Sequence, residues 1–472
     1  MYEKMHELVD ASFDEQLAQT REVVRIRSVL DESKSTEAHP FGPELTASLD
    51  DFLTRARNLG FTAVNVDNYA GYAEMGGPGK DSELVGILAH LDVVPEGNER
   101  DWQHPPYAAE VADGALWGRG SIDDKGPAMA ALYAMKALRD SGVPLRKRFR
   151  LILGLDEESG SRCILHYNQV AEVPAFSFSP DAEFPVVNAE KGILRATITK
   201  RAKLEAEDGK PSLLSLTGGD RFNVVPDAAF AHIVCLPEEA ETIEKGCGGL
   251  IVKRAADGLE ISASGASAHA MEPWKGENAV QKLLACLAKI DFGPGDNALI
   301  RSVQSLAGTG HNGADLGIAC EDEVSGPLTC NAAAVQMNRG EAGEGKISLK
   351  LDIRYPVTAN ADRLIGEMEK HVADAGGSLT ISTHKKPLYI PADHPTVRTL
   401  MDAYETITGE RPEPVSMGGG TYCRFMPNSV SAGPLFPGQP ELAHQANERV
   451  ALDDLRRSTH IYAEALARFN EM

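Results

Sequence analysis

The first 190 residues alternate between short apolar runs and segments with helical spacing. ELVGILAHLDVV (83–94) and RFRLILGLDEESGS (148–161) have the pattern of buried strands that end in polar residues. GPAMAALYAMKALRDSG (126–142) has apolar positions three and four residues apart, with Pro127 near its start and Gly142 at its end, which is typical of a helix. This alternation predicts a mostly parallel sheet covered by helices.

A different pattern begins near residue 191. β-prone stretches such as ILRATITK (193–200) and KISLKLDIRY (346–355) are separated by loops and helical segments, which predicts an α+β domain. After KKPLYIPADHP (385–395) the helical pattern returns. We therefore expect an α/β domain formed by 1–190 and 385–472, with a mostly parallel mixed sheet and helices on both faces, and an inserted α+β domain formed by 191–384.

The charge balance restricts the partners. The chain has 47 Lys and Arg against 69 Asp and Glu, a net charge of -22, which would repel a nucleic-acid backbone or an anionic membrane. A small-molecule partner is favoured. The start has no apolar region typical of a secretory signal, and the sequence has no apolar run of transmembrane length. Seven scattered cysteines without a CxxC pair fit a reducing cytoplasm.

Histidine and acidic residues follow the predicted strands. His90 and Asp92 end one strand, Glu157 and Glu158 the next, and Asp181 a third. The carboxyl ends of parallel strands lie along one edge, which is where such sheets bind ligands. On a strand, Asp92 would share a face with His90 and could orient its imidazole. Alone, a histidine such as His90 is more often a hydrogen-bonded core or edge residue, and GSIDDKG could be a helix N-cap with solvated acids.

Two further motifs supply similar residue types. Asp123, directly before the predicted helix, is a short carboxylate near a turn and suits a ligand shared by two metal ions. His444 lies in LAHQANE. If the strand continued through Glu157 and Glu158, one could bind metal while the other faced the reacting water. Their mutual repulsion would be removed by bound cations.

These motifs resemble those of the M20 metallopeptidases, in the dipeptidase V or carnosinase-like branch, over nearly the whole chain. The matching segments are GILAHLDVVPEG, WGRGSIDDKGP, LGLDEESGS, SPDAEFPVVNAEKG, GGDRFNVVPDAA, SGASAHAMEPWKGENA, GGGTYCR and AHQANE. The resemblance implies a zinc-peptidase-like catalytic domain with the inserted domain as a lid. It implies one zinc on His90, Asp123 and Asp181, another on Asp123, Glu158 and His444, a general base at Glu157, and a cis peptide after Asp123.

The resemblance also assigns roles to residues outside the metal ligands. His269 would stabilise the oxyanion, with Asn223 beside it, and Arg354 would bind the substrate carboxylate. The backbone amides of Gly418, Gly419 and Gly420 could approach an anionic substrate end. The alternatives are an ordinary surface histidine for His269 and a salt bridge within a strand for Arg354.

The expected activity is hydrolysis of dipeptides, Xaa-Xaa or Xaa-His, by a metal-bridging water activated by Glu157. The alternative enzyme is an N-acyl or N-succinyl amino acid deacylase of the same superfamily, and the alternative class is a catalytically silent metal-binding scaffold. The expected cofactors are two Zn²⁺, with Mn²⁺ or Co²⁺ as replacements in use. The expected partner is a small peptide, and a monomer is one option because an extended lid often substitutes for a partner subunit in this branch.

Overall fold

The computed structural model describes residues 2–77, 79, 81–204, 207, 209–340 and 343–472. They form two compact units. The first contains the described residues up to Ala189 together with Tyr389–Ser416 and Gly420–Met472. The second contains Glu190–Leu388 and Met417–Gly419.

The described residues contain ten α-helices and twenty-four strands, numbered here in chain order. Helices α1 to α10 are Tyr2–Val24, Pro43–Asn58, Lys125–Asp140, Arg162–Val170, Pro237–Gly246, Ala279–Leu287, Pro294–Ala307, Ala361–Asp374, Pro395–Thr408 and Leu452–Glu471. Strands β1 to β24 are Thr62–Val66, Ala70–Met75, Leu84–His90, Glu110–Ala112, Ala115–Trp117, Arg148–Gly154, Phe176–Ser179, Ala182–Glu183, Val187–Glu190, Gly192–Lys203, Ser212–Gly218, Ala228–Val234, Ile251–Ala255, Gly258–Ser264, Glu321–Asp322, Gly326–Pro327, Thr329–Arg339, Glu344–Tyr355, Ser378–Lys385, Leu388–Tyr389, Val415–Met417, Ser429–Ser431, Pro434–Leu435 and Arg449–Ala451.

The main sheet of the first unit has the order β1-β2-β6-β3-β7-β22-β9-β20, with β21 paired to β9. Its central strands β6, β3, β7 and β22 are parallel, whereas β1-β2, β2-β6 and β22-β9 are antiparallel. Every residue of β3 and β6 is buried, and all of them are apolar except Arg148, Arg150 and the terminal His90. The mixed α/β fold predicted from the sequence is confirmed.

Helices cover both faces of this sheet. At Gly71 on β2, a Cβ atom would lie 2.8 Å from Leu49 of α2. The next residue, Tyr72, makes an edge-to-face ring contact with Tyr167 of α4 at 6.4 Å between centroids. Because successive strand residues point to opposite faces, α2 and α4 lie on opposite sides. Helix α3 packs against β3 and β6, and α1 and α10 pack against α3.

The second unit is built on an antiparallel sheet of eight strands in the order β13-β14-β12-β11-β17-β18-β10-β19. Helices α6 and α7 pack on this sheet, and α8 packs against β19. This is the architecture expected for the inserted α+β domain, and its role as a lid stays a prediction.

The second unit also includes Met417–Gly419, which the sequence analysis assigned to the first domain. The backbone N–H of Lys191 donates to the carbonyl of Met417 at 3.0 Å. Arg354 donates to the carbonyl of Gly418 at 2.8 Å. These contacts join Met417–Gly419 to residues far away in the sequence. The local hydrophobic pattern therefore could not assign this segment to the second unit.

Among the described residues, no helix is both long and apolar enough to cross a membrane.

Candidate metal centre

Six side chains meet at the carboxyl end of the parallel strands in the first unit. His90 is the last residue of β3, and Asp123 lies two residues before α3, which begins at Lys125. The other four follow strands or loops: Glu157, Glu158, Asp181 and His444. The structure therefore brings together all the residues that the sequence analysis expected at the metal ions, together with the expected base.

Asp123 lies between the two imidazoles. Its Oδ1 is 2.9 Å from His90 Nε2, and its Oδ2 is 3.0 Å from His444 Nε2. His444 Nε2 is also 2.9 Å from Glu158 Oε2, and His90 Nε2 is 3.7 Å from Asp181 Oδ2. One carboxylate with an oxygen towards each imidazole has the arrangement needed to be shared by two metal ions.

Two overlapping groups of side chains could each hold a metal ion. The ligand atoms of His90, Asp123 and Glu158 all lie within 4.8 Å of one another, as do those of His90, Glu157 and Asp181. Imidazole and carboxylate groups are both ordinary ligands of Zn²⁺. Two imidazoles and four carboxylates, clustered and at least partly buried except for the exposed His444, therefore fit divalent cations by their chemistry.

The charges of the cluster also favour cations. Burial, and then the Asp181 carboxylate, raise the pKa of Glu157 well above its usual value. Burial raises the pKa of Asp181 to about 6, although the hydrogen bond from His90 opposes this. For Asp123, burial acts in the same direction, but hydrogen bonds from His444 and His90 hold its pKa well below its usual range. Bound cations would remove the repulsion among these carboxylates.

Asp92 acts differently from the expectation. Strand β3 ends at His90, so the two residues do not share a strand face. His90 Nδ1 donates to the backbone carbonyl of Asp92 at 2.8 Å, whereas the nearer carboxylate oxygen is 3.5 Å away. The carboxylate instead accepts the backbone N–H groups of Glu157 at 3.1 Å and Glu158 at 3.0 Å. Asp92 thus fixes the imidazole through its carbonyl and the acidic turn through its side chain.

Glu157 and Glu158 lie on a turn, because β6 ends at Gly154. The expectation of a continuing strand was wrong. The buried carboxylate of Asp156 closes this turn by accepting the backbone N–H of Arg162 at 2.9 Å and its Nε at 2.7 Å. The sequence analysis missed Asp156, although it stands in the quoted LDEESGS motif.

The peptide between Asp123 and Asp124 is cis, as the resemblance implied. The buried Asp124 carboxylate accepts the backbone N–H of His90 at 3.1 Å. His444 has a φ of 65°, which is uncommon for a residue other than glycine.

A buried ion pair supports the segment before Asp123. Arg119 Nη1 donates to Glu448 Oε2 at 2.6 Å, and the backbone N–H groups of Gly120 and Ile122 donate to Glu448 Oε1 at 2.8 and 3.2 Å. Burial raises the pKa of Glu448 to about 7, against the lowering effect of Arg119. Since every one of these partners is a donor, the contacts fit the ionised carboxylate. Glu448 ends the AHQANE motif, which was its only signal in the sequence.

The predicted residues of the second unit form their own cluster. Val224 and His269 form an antiparallel bridge, and Ala270 N–H donates to the carbonyl of Asn223 at 2.9 Å. Asn223 and His269 are therefore neighbours, as expected. His269 is exposed, and its Nδ1 accepts the backbone N–H of Met271 at 3.1 Å.

Arg354 is buried and bonded within the second unit. Its Nε donates to Asp352 Oδ1, its Nη2 to Asp352 Oδ2 and its Nη1 to the carbonyl of Gly418. The salt bridge within β18 is the alternative considered above. A role in binding a substrate carboxylate stays a prediction.

Packing explains the first glycine of GGGTYCR, whereas the other two would meet only the ends of flexible side chains. A Cβ at Gly418 would lie 2.6 Å from Met271 Cβ, and one at Gly419 would lie 2.6 Å from Met417 Cε. A Cβ at Gly420 would meet the guanidinium of Arg424 at 2.2 Å. Their binding of an anionic substrate end stays a prediction.

An α/β sheet with imidazoles and carboxylates clustered at the ends of its parallel strands has the arrangement of a metal-dependent enzyme. Residues 86–468 match the model of peptidase family M20/M25/M40, and the chain belongs to this family. It is therefore a metallopeptidase.

The chain is similar to bacterial proteins named as dipeptidases. It is 39% identical over 458 residues to "Putative dipeptidase YtjP" of Bacillus subtilis, which covers 95% of each chain. It is 32% identical over 453 residues to "Putative dipeptidase" of Staphylococcus epidermidis, which covers 94% of each chain.

Two solved structures have a similar fold. Human carnosine dipeptidase 1 matches with a TM-score of 0.60 and 15% identity, covering 100% of this chain and 99% of the other. The dipeptidase Dug1p of Saccharomyces cerevisiae matches with a TM-score of 0.60 and 14% identity, at the same coverage. At these identities the similarity concerns the fold alone.

Proposed function

We propose that this chain is a di-zinc dipeptidase, with Mn²⁺ or Co²⁺ able to replace zinc. The observation that carries the proposal is the position of Asp123, with one oxygen at 2.9 Å from His90 Nε2 and the other at 3.0 Å from His444 Nε2. The names of the bacterial relatives and of carnosine dipeptidase support a dipeptide substrate.

Each metal ion would have its own ligands besides the shared one. His90, Asp123 and Asp181 would hold one ion, and Asp123, Glu158 and His444 the other. When bound, the ions would polarise the scissile carbonyl and lower the pKa of the attacking water.

Glu157 would act as the general base. Its backbone N–H is held by Asp92, and burial raises the pKa of its carboxyl group. A carboxyl group with a raised pKa can accept a proton from water and then return it to the leaving amine. The carboxylate would take the water proton as the C–O bond forms, and would protonate the amine as the C–N bond breaks.

The second unit would bind the substrate's polar ends. His269 and Asn223 would stabilise the developing oxyanion. Arg354 would bind the substrate carboxylate, which requires it to exchange Asp352 and the Gly418 carbonyl for the ligand. The amides of Gly418, Gly419 and Gly420 would assist. We also expect a cytoplasmic location, supported by seven free cysteines, and a monomer.

The test is a Glu157→Gln variant, with Glu99→Gln as a control because Glu99 is exposed in a separate segment. General acid–base groups contribute about 10²–10⁴-fold, so we expect kcat to fall by that factor while two equivalents of metal are retained. Assays should compare Xaa-Xaa and Xaa-His dipeptides with N-succinyl and N-acetyl amino acids. Unchanged turnover in Glu157→Gln would contradict the assignment of Glu157 as the general base. Faster hydrolysis of the N-acyl compounds than of the dipeptides would identify a deacylase in place of a dipeptidase.

A further inference from the structure

Two histidines face each other between α1 and α10, on elements that supply none of the centre's ligands. His6 Nδ1 lies 2.9 Å from His460 Nδ1. His6 Nε2 lies 3.1 Å from Glu464 Oε2, and His460 Nε2 lies 3.0 Å from Asp10 Oδ1. Each helix contributes a histidine and, four residues later, a carboxylate, which places both on one helix face.

The hydrogen bonds determine where the protons lie. An ionised carboxylate only accepts, so each Nε2 that faces Asp10 or Glu464 must carry a proton. In the neutral imidazoles, this leaves the Nδ1 lone pairs of His6 and His460 pointing at each other across 2.9 Å. Such an arrangement requires a cation between the nitrogens, which is either a shared proton or a metal ion.

The carboxylates have the positions of supporting groups in histidine metal sites. A metal-bound imidazole usually donates its second N–H to a carboxylate, which fixes the ring and increases its basicity. Glu464 is almost fully buried and is further held by Arg468, whose Nε donates to its Oε1 at 2.8 Å. Asp10 supports His460 in the same way from the opposite helix.

We propose that His6 Nδ1 and His460 Nδ1 form a binding site for one divalent transition-metal ion, of the Cu²⁺ or Zn²⁺ class, which links α1 to α10. Two Zn–N bonds of about 2.0–2.1 Å at a tetrahedral angle place the nitrogens about 3.3 Å apart, so a separation of 2.9 Å needs only a small opening. Imidazole ligands suit both ions, and Cu²⁺ should bind more tightly.

Access agrees with this assignment. The side chains of His6 and His460 are 23% and 15% exposed, which allows water to complete the coordination. Burial lowers the pKa of His460, which favours the neutral ring that a metal requires.

The experiment uses the full-length protein and measures bound Zn²⁺ and Cu²⁺ by equilibrium dialysis with elemental analysis. His6→Ala should bind one equivalent fewer than the wild type and keep its dipeptidase activity. The control is His232→Ala, because His232 bonds a single carboxylate, Asp257, at 2.9 Å. That variant should match the wild type in stoichiometry.

A second variant keeps both imidazoles. Asp10→Asn removes the orienting carboxylate at an exposed position and should weaken this equivalent by about 10–100-fold. Cu²⁺ added to the zinc-loaded wild type should give an electron paramagnetic resonance spectrum with coupling to two imidazole nitrogens, which His6→Ala reduces. Equal stoichiometry in the wild type and folded His6→Ala would overturn the proposal. If His6→Ala loses dipeptidase activity but binds as much metal as the wild type, the substitution has affected the main centre and the proposed site is overturned.

Discussion

The buried pair of Arg119 and Glu448 gives a direct test of how the candidate centre is supported. Arg119 is 2% exposed and Glu448 is fully buried. Glu448→Gln preserves the shape of the side chain and one carbonyl oxygen for the backbone N–H groups of Gly120 and Ile122. It removes the charge that faces the guanidinium at 2.6 Å. The change therefore isolates the ion pair from the loop contacts.

Removing one partner of a buried ion pair costs about 3–5 kcal/mol, because the other charge remains buried and uncompensated. We expect Glu448→Gln to lower the free energy of unfolding by that amount. Glu448→Ala should cost about 1–3 kcal/mol more, since it also leaves backbone donors without an acceptor. In the double variant Arg119→Met with Glu448→Gln, much of the loss should be recovered, because neither charge remains.

Urea-induced unfolding of the three variants and the wild type, in chelator, measures these differences without a contribution from bound metal. Metal affinity provides a second measurement, since the Glu448 carboxylate positions the segment that carries Asp123. Loss of such a supporting group typically costs about 10–100-fold in affinity. If Glu448→Gln unfolds within about 1 kcal/mol of the wild type, the ion pair does not support the fold as argued. If the double variant is no more stable than Glu448→Gln, the two groups are not coupled as argued.

Three further predictions concern the ligands and their surroundings. Asp92→Asn should lower kcat by about 10–100-fold, because the Asp92 carboxylate holds the turn that carries Glu157. The metal content should not change, because the backbone carbonyl that holds His90 is kept. Steady-state kinetics and metal analysis of the variant check both expectations. His444→Ala should lose one of the two metal equivalents expected at the main centre, as measured by elemental analysis. In chelator, the stability contributed by Asp181 should be present below about pH 4 and lost as the pH rises through about 6, the pKa to which burial raises it. Melting temperatures with and without zinc, measured across this pH range, test the sign. The prediction is contradicted if the chelated protein gains stability relative to the zinc-loaded protein as the pH rises through about 6.

Strands β3 and β6 were predictable because they are buried along their whole length and therefore contain apolar runs that can be recognised in the sequence. β3 is apolar up to His90, at which it ends, and β6 is apolar from Leu151 onwards after the alternating Arg148, Phe149 and Arg150. The point at which β6 ends could not be predicted from the pattern. At Gly154 a Cβ atom would overlap the hydroxyl of Tyr422, which comes from a segment more than 250 residues later in the chain. The turn of Glu157 and Glu158 is held by the Asp92 carboxylate, which accepts both backbone N–H groups and lies more than 60 residues earlier in the chain, where local periodicity cannot indicate it.

Arg354 illustrates a similar difficulty in the second unit. Residues i and i+2 of a strand share a face, so the neighbouring Asp352 was a possible partner from the sequence alone. The Gly418 carbonyl was not, since it comes from a short segment far along the chain. Whether this guanidinium binds substrate or supports the sheet depends on the partner it meets, and residue type does not decide that.

The acidic residues of the first unit divide into two groups that a sequence cannot separate. Asp123, Glu158 and Asp181 point their carboxylates at imidazoles, whereas Asp92, Asp124, Asp156 and Glu448 accept backbone N–H groups of the segments that carry the ligands. Each carboxylate of this second group fixes the backbone segment whose N–H group it accepts. The two groups should therefore fail in different ways. Substitution of a ligand changes how many ions are bound, whereas substitution of a supporting acid keeps the number and changes the affinity and the turnover.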